Sequence, residues 1–290
     1  MTDSARSTAS VDALTAPAAL GARNVGLRNL LAAIDPLRVA GAVLFVALWQ
    51  AVAAATSPII LPGPLSVIRR AAADFWSAPA LSYYGVSEAN LYGNLLYTAE
   101  NVAIAVVLGA MIGIVAGLLS ARLSLFRAIV DPVMMTAGTV PIIIAAPFLL
   151  IWFGVGRASA VSLVTFYVIV IHYVFAQRAA SNLDPIYEQY ALTFGASKGR
   201  MVRDILIPAT VPEILGGFRI ALAGAWGLEA ISELLGAQFG MGKVLEVLAG
   251  ATDPQGIMAS LLVLGVAAII ADAFAAFLIA RFAAWSLPGR

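Results

Sequence analysis

Residues 184–208 read DPIYEQYALTFGASKGRMVRDILIP, a charged segment within an otherwise very apolar chain. Seven charged residues lie between positions 178 and 208, whereas positions 158–176 contain no formal charge apart from a possible one on His172. Of the 290 residues, 61% are hydrophobic and 11% are charged, whereas soluble domains carry roughly a quarter charged residues. So few charges cannot cover the surface of a compact soluble fold. We therefore expect lipid to surround much of the chain.

Six apolar stretches have the length of membrane-spanning helices, since a span needs about 20 mostly apolar residues. The expected spans cover positions 37–57, 94–119, 130–155, 158–177, 212–235 and 257–281. The fifth is the weakest because it contains Arg219, Glu229 and Glu233. The sequence thus predicts an all-α membrane protein with a transmembrane domain at 36–285. A mostly disordered tail at 1–35 is expected to precede it, with a short interfacial helix at 27–34.

Lysine and arginine in the connecting segments are concentrated on one side of these spans. The richer side includes the N-terminal tail and residues Arg122, Arg127, Arg178, Lys198, Arg200, Arg203, Arg281 and Arg290, and the other side has Arg69, Arg70, Arg157 and Lys243. Positively charged loops tend to face the cytoplasm. Both termini and the segment 184–208, between the fourth and fifth spans, are therefore expected to be cytoplasmic. The outer loop 57–93 is expected to hold a surface helix, because LPGPLSVIRRAAADFW at 61–76 is amphipathic and ends in aromatic residues.

The chain lacks the residue patterns of several functional classes. With no cysteine and one histidine, it offers neither thiol chemistry nor a metal-ligand cluster. The only near match to the phosphate-binding pattern G-x4-G-K-[ST] is GAQFGMGKV at 236–244, where Ala237 replaces the first glycine and Val244 replaces the hydroxyl residue. A net charge of +1 gives no argument for nucleic-acid binding. We therefore expect no ATP hydrolysis, no bound metal and no cofactor in this chain.

Glycine and proline mark two of the expected spans. Gly109, Gly113 and Gly117 recur every fourth residue, which places a smooth stripe on one helix face. This stripe is either a packing seam, within the bundle or between protomers, or a reflection of how common glycine is in membrane helices. Pro141 and Pro147 each remove a backbone donor from the third span, so this span is expected to be bent or locally unwound. The bend could serve a gate or serve packing alone.

Several ionisable residues lie at or near membrane depth, where they are costly and often functional. The candidates for a translocation path are Glu100, His172, Glu229 and Glu233. Glu229 and Glu233 are four positions apart and share a helix face, which would force one to be protonated or both to meet water or a cation. Glu233 is also a candidate structural anchor near the outer end of its span. Glu229 could pair with Arg219 or a backbone donor, or it could line the path.

The segment 184–208 has the signals of a helix–glycine–helix elbow. Asp184 and Pro185 predict a helix start, Gly195 a stop, Ser197 a second start and Pro208 the end of the second helix. One apolar and aromatic face of the first helix consists of Ile186, Tyr187, Tyr190, Ala191 and Phe194. Such an elbow could be a DNA-binding helix–turn–helix, but three basic residues are few for that role. Contact with lipid headgroups would suit those basic residues, whereas the aromatic face favours a cytosolic protein with a matching groove.

The elbow resembles the EAA loop of permease subunits of bacterial ATP-binding-cassette importers. The family pattern is E-A-A, three residues, Gly, nine residues and I-x-L-P, and here Ala191, Gly195, Ile205 and Pro208 match it in register. Gln189 and Tyr190 replace the glutamate and the first alanine, Ile207 replaces the leucine, and Glu188 stands one position early. The stretches LPGPLSVI, VPIIIAAPFLLIWFGVGRAS and ELLGAQFGMGKVL are similar to those of the sulfonate, taurine, nitrate and bicarbonate subfamily.

This resemblance implies a multi-pass importer subunit of the bacterial inner membrane. It implies a second permease copy, two cytoplasmic ATPase subunits that bind ATP and magnesium, and a periplasmic or lipid-anchored binding protein. The elbow would be the coupling helix, with contacts to the ATPase carried by Ile186, Tyr187, Gln189, Tyr190, Ala191, Phe194, Gly195, Ile205 and Pro208. The solute would be small, polar and anionic or zwitterionic. The rival hypothesis is a self-sufficient secondary transporter that uses the intramembrane carboxylates.

Overall fold

The computed structural model describes residues 36–282, and in this range it contains helices and loops but no β-strand. The α-helices are α1 (Pro36–Ala55), α2 (Pro64–Trp76), α3 (Pro79–Tyr83), α4 (Leu91–Arg122), α5 (Ser124–Thr139), α6 (Ala146–Phe153), α7 (Arg157–Ser181), α8 (Pro185–Thr193), α9 (Lys198–Met201), α10 (Ile207–Gly236), α11 (Met241–Gly250) and α12 (Pro254–Phe282). The expected tail at 1–35, its interfacial helix and the end of the transmembrane domain at 285 lie outside the described residues.

Two compact units divide the chain, the first ending at Ala51 and the second beginning at Val52. Most of α1 belongs to the first unit, where the rings of Phe45 and Trp49 lie 6.4 Å apart. The first expected span falls on this helix, whose apolar part, Val39–Ala55, is shorter than the other candidate spans. Helices α2 to α12 belong to the second unit.

Four described helices have the length and composition to cross a membrane: α4, α7, a continuous helix Lys198–Gly236, and α12. Ser124–Thr139 and Ile142–Phe153 are bent by 100° relative to each other, and they give a fifth span if they are counted as one broken span. These five coincide with the second to sixth expected spans. The described residues thus have the predicted all-helical membrane character, while the total of six spans stays a prediction.

Helix α4 is longer than the hydrocarbon core of a bilayer is thick. Its first turn is capped by Asn90, whose side chain accepts a hydrogen bond of 2.6 Å from the backbone N–H of Gly93. With 32 residues and about 1.5 Å per residue, the helix is roughly 48 Å long. The hydrocarbon core of a bilayer is about 30 Å thick. The residues at the ends of α4 therefore reach the aqueous surfaces on opposite sides.

The glycine stripe of α4 is a packing seam within the subunit. A Cβ atom added at Gly109, Gly113 or Gly117 would lie only 2.6, 2.5 or 2.5 Å, respectively, from the nearest atom of α7. Real Cβ atoms do not approach other atoms so closely, so these positions let the two helix backbones come together. The sequence leaves open whether this stripe packs within the bundle or between protomers, and in the structure it packs within the bundle.

The third expected span is broken near its two prolines. Helix α5 ends at Thr139, the backbone is extended at Val140, and a 3-10 turn at Ile142–Ala145 leads into α6. Pro141 precedes this turn, and Pro147 lies in the first turn of α6, where a backbone N–H has no partner within the helix anyway. The bend follows the expectation from sequence, and its use as a gate stays a prediction.

One expected boundary of the elbow is wrong. Pro208 does not end the second elbow helix, because α9 continues through a π-helical turn at Val202–Leu206 into α10. Proline cannot donate to the carbonyl four residues earlier, here that of Asp204. The wider turn before Pro208 lets the helix continue without that bond. The elbow and the fifth expected span are therefore one continuous helical element, Lys198–Gly236.

Candidate functional site

The elbow is capped by its own side chains at both helix starts. The carboxylate of Asp184 accepts a hydrogen bond of 2.9 Å from the N–H of Ile186, and the hydroxyl of Ser197 accepts one of 3.4 Å from the N–H of Arg200. Between the two helices, Gly195 has a φ of 75°, a left-handed conformation that glycine adopts without strain. These local features fix the path of the chain through the elbow.

The apolar face of the first elbow helix is open to solvent in the subunit. No residue of α8 is buried, and the exposed fractions of Tyr187, Tyr190 and Phe194 are 57%, 60% and 87%. Ile186 is exposed as well. Charged residues beside this helix disfavour its burial among lipid tails. Exposed aromatic clusters of this kind are typical of interaction surfaces.

The remaining expected coupling residues differ in their exposure. Gln189 is exposed, and its backbone carbonyl accepts a hydrogen bond of 2.9 Å from the hydroxyl of Thr193. Ala191 is half-buried, Ile205 is half-buried in the π turn, and Pro208 is exposed. All of them lie within 184–208, and their contact with an ATPase stays a prediction.

An ion pair joins the elbow to the end of α4. The carboxylate of Glu188 contacts the guanidinium of Arg122, the last residue of that helix. Glu188 is one position earlier than the glutamate of the EAA pattern, and its charge is engaged inside the subunit rather than presented to a partner. Arg122 was not among the expected site residues, because nothing in the local sequence relates it to a residue so far along the chain.

A second polar cluster holds α5 against α4 and α7. The hydroxyl of Ser120 donates a hydrogen bond of 2.6 Å to Asp131, and the hydroxyl of Tyr173 also contacts this carboxylate. Arg127 donates a hydrogen bond of 2.9 Å to the hydroxyl of Ser181. No residue of α5 is buried, so these polar contacts are prominent among those that position it. Sequence reasoning missed this cluster, since its members come from three separate helices.

Glu233 anchors the start of α11 from inside the subunit. Its side chain is fully buried and accepts hydrogen bonds of 2.9 Å from the hydroxyl of Thr98 and from the N–H of Gly242. The hydroxyl of Thr98 in turn accepts a bond of 2.9 Å from the N–H of Met241, and Asn94 accepts one of 3.1 Å from the N–H of Gly240. Glu233 therefore satisfies donors at a helix N-terminus, where a carboxylate is favourable.

Glu229 differs from Glu233 although it lies one turn away on the same helix. It is fully buried, and neither carboxylate oxygen has a hydrogen-bond partner within residues 36–282. The buried side chain of Asn101 lies beside both carboxylates without an ordinary hydrogen bond to either. The expected alternative of a Glu229–Arg219 pair is wrong, since Arg219 forms two hydrogen bonds to Asp272 of 2.9 and 2.6 Å. Residues ten positions apart on one helix do not share a face.

The other two path candidates lie in different surroundings. His172 is fully buried, its Nδ1 is 3.0 Å from the carbonyl oxygen of Val168, and its ring packs edge-on against Phe218. Glu100 is exposed and accepts a hydrogen bond of 2.9 Å from Arg157. The four candidates thus differ in burial and in partners, and a role in a path stays a prediction for each. Among the described residues, no group of histidine and acidic side chains could hold a metal ion.

Replacing Glu233 by alanine is expected to destabilise the protein more than replacing Glu229 by alanine. Both changes remove a fully buried carboxylate from α10, but only the first leaves the N–H of Gly242 without an acceptor. A buried donor without a partner costs about 1–3 kcal/mol. Thermal unfolding of the two detergent-purified variants measures the difference, and equal losses would contradict the anchoring role of Glu233.

A known protein family matches the part of the chain that contains most of these residues. A family model described as "Binding-protein-dependent transport system inner membrane component" matches residues 109–285. The chain belongs to this family. The matched range contains the glycine stripe, the broken span, the elbow and both buried carboxylates. Members of the family are non-catalytic permease subunits of ATP-binding-cassette transporters, which work with ATPase and substrate-binding proteins.

Several curated members of the family resemble the chain over most of their length. The taurine transport permease TauC of Escherichia coli is 24% identical over 74% of this chain and 76% of its own. The formylaminopyrimidine transport permease ThiX of Halalkalibacterium halodurans is 27% identical over 73% and 80% of the two chains. The nitrate import permease NrtB of Synechococcus elongatus is 29% identical over 69% and 71%.

Solved structures share the fold of this family member. A chain of the MetNI methionine transporter in an inward-facing conformation matches with a TM-score of 0.55 and 19% identity, over 66% of this chain and 94% of its own. A chain of a bacterial alginate transporter, crystallised with an alginate-bound periplasmic protein, matches with a TM-score of 0.56 and 14% identity, over 85% and 95%. At such identities the likeness concerns the fold.

Proposed function

We propose that the chain forms the translocation path of an ATP-driven importer for a small polar solute that is anionic or zwitterionic. The solute is of the sulfonate, taurine, nitrate or bicarbonate class and is delivered by an external binding protein. The observation that carries the proposal is the exposed aromatic face of the elbow. The only near match to a phosphate-binding loop in the sequence lacks the first glycine and the hydroxyl residue of that pattern, so the chain is not expected to hydrolyse ATP itself. The energy for transport then comes from a partner docked on that face.

The elbow can transmit a displacement caused by this partner to the spanning helices. Its first helix is tied to the end of α4 through Glu188 and Arg122, and its second helix continues without a break into α10. A displacement of the aromatic face therefore reaches two spanning helices directly. In this proposal the chain has six spans with cytoplasmic termini, and the elbow meets an ATPase subunit in the cytoplasm.

A second copy of the chain completes the path in this proposal. One chain supplies one elbow, whereas the two ATPase subunits that close on each other need two elbows. Two copies of the chain related by a two-fold axis provide them most simply. The broken span supports this arrangement, because α5 has no buried residue and large apolar side chains of α5 and α6 are exposed in the subunit. These side chains are Leu125, Ile129, Val133, Phe148, Ile151 and Trp152.

The composition of the purified complex tests the proposal. Co-expression of the chain with its ATPase partner is expected to yield two copies of this chain with two ATPase subunits, measured by native mass spectrometry and cryo-electron microscopy. A single copy in the complex, or a pairing with a different permease chain, would contradict the two-fold arrangement. A chain that binds no ATPase would contradict the function itself.

A further inference from the structure

An open cavity of about 490 Å³ lies at the start of α4. Its polar and aromatic lining consists of Glu88, Asn90, Tyr92, Tyr97, Glu100 and Phe239. Its volume is in the range of small binding pockets, roughly 300–1,000 Å³, but it is open at the protein surface rather than enclosed. The cavity combines two acidic residues with three aromatic rings, which is the chemistry that recognises ammonium and guanidinium groups.

Two residues that line this cavity, Glu100 and Tyr97, already bind a guanidinium group of the chain itself. Arg157 donates a hydrogen bond of 2.9 Å to Glu100, and the centre of its guanidinium lies 4.5 Å from the centroid of the Tyr97 ring. The Tyr97 ring packs against Phe239 with their centroids 5.6 Å apart. A carboxylate and a tyrosine ring thus bind a planar cation together at this wall.

A second carboxylate and a second tyrosine, those of Glu88 and Tyr92, also line the cavity. Glu88 is exposed, and its carboxylate has no ion-pair or hydrogen-bond partner within residues 36–282. The carboxylate lies above the first turn of α4, where a Cβ added at Gly93 would be 3.0 Å from one of its oxygens. Tyr92 also lines the cavity, and its ring packs against those of Trp76 and Phe75, with centroids 5.0 and 5.8 Å away. Within residues 36–282, no lysine or arginine forms an ion pair with Glu88.

The cavity lies on the side of the protein opposite to the elbow. Glu88 and Tyr92 are at the first turn of α4, whereas Arg122, which pairs with the elbow, is its last residue. About 48 Å of helix separates these two ends, given 32 residues at about 1.5 Å each. If the elbow meets the ATPase in the cytoplasm, the cavity opens towards the external binding protein.

We propose that this cavity receives an arginine or lysine side chain of the external binding protein, which inserts between Glu88 and Tyr92. The inference rests on the proposed function for the presence and side of that partner. Charge favours a basic side chain, because the carboxylate of Glu100 is already paired with Arg157 whereas that of Glu88 has no counter-ion within residues 36–282, and a purely anionic solute would be repelled by it. The open shape also suits a side chain presented by a docking protein. Paired charges at the rim of an interface chiefly raise the association rate and set its salt dependence.

The test uses the complete complex with its ATPase subunits in lipid nanodiscs and measures the rate and affinity of binding-protein association at two salt concentrations. Glu88→Lys is expected to weaken the affinity about 10-fold, mainly through the association rate, and Glu88→Gln about 3-fold, with weaker salt dependence in both. Glu246→Lys and Glu246→Gln are the matched controls. Glu246 is 46% exposed on α11, does not line the cavity, and should leave the affinity unchanged.

Several outcomes separate this proposal from its rivals. Co-purified ATPase shows that each variant is assembled, and a basic-to-acidic change in the binding protein that restores affinity to Glu88→Lys supports the proposal directly. Unchanged affinity in both assembled Glu88 variants overturns it. It is also overturned if affinity is unchanged while the solute KM rises, which makes the cavity a solute site. If the wild-type complex binds no binding protein, the proposed function itself fails.

Discussion

Aspartate in place of Tyr190 or Phe194 is expected to abolish ATP-driven uptake while the chain still inserts into the membrane. Both side chains are largely exposed in the subunit, at 60% and 87%, so the changes remove little packing from it. In the proposed complex they occupy an ATPase groove, where a buried aromatic anchor contributes about 2 kcal/mol or more. A loss of that size weakens ATPase binding roughly 30-fold.

Co-purification of the ATPase and uptake into vesicles measure this effect. Tyr83→Asp is the matched control, because Tyr83 is also 87% exposed but lies in α3, near the opposite end of α4. The control should retain its ATPase subunits. Normal ATPase association in both elbow variants would contradict the assignment of the elbow as the coupling surface.

Alanine at Gly113 is expected to destabilise the subunit strongly, although it adds only one methyl group. The added Cβ would lie 2.5 Å from the carbonyl oxygen of Ile169 and 2.8 Å from the Cβ of His172. The first neighbour is backbone, so α4 and α7 must separate rather than rotate a side chain away. Such overpacking costs about 1–3 kcal/mol.

The same substitution at Gly216 provides the control for this prediction. A Cβ added there would meet no atom within 4 Å, and the position is inside α10. Alanine at Gly216 should keep or raise stability, since it favours the helix by up to about 1 kcal/mol over glycine. Thermal unfolding of the two variants in detergent gives the comparison. Equal midpoints would contradict the close contact of α4 with α7.

Local chemistry made much of the elbow predictable from the sequence. The caps at Asp184 and Ser197 each join two residues that are no more than three positions apart, and the turn at Gly195 depends on the glycine itself. A short sequence pattern therefore contains each of these features. The bend at Pro141 is predictable for the same reason. The continuation of the helix past Pro208 was not predictable, because the π turn at Val202–Leu206 has no distinctive residue pattern.

Contacts between distant segments were beyond the reach of sequence patterns. The partner of Glu188 is Arg122, and the partners of Glu233 are Thr98 and Gly242. Hydropathy indicates that such residues are costly in a membrane, but not which donors meet them. The contrast between Glu233, with its partners, and Glu229, without one in the described chain, emerges only once α4, α10 and α11 are packed together.

Uptake into sealed vesicles tests the central claim most directly. The chain is reconstituted alone, with its ATPase, and with ATPase and loaded binding protein, and solute entry is measured with ATP or with an imposed ion gradient. We expect entry only when ATP, ATPase and binding protein are all present, and no entry driven by the gradient. Gradient-driven uptake by the chain alone would contradict the account and favour a secondary transporter that uses its buried carboxylates.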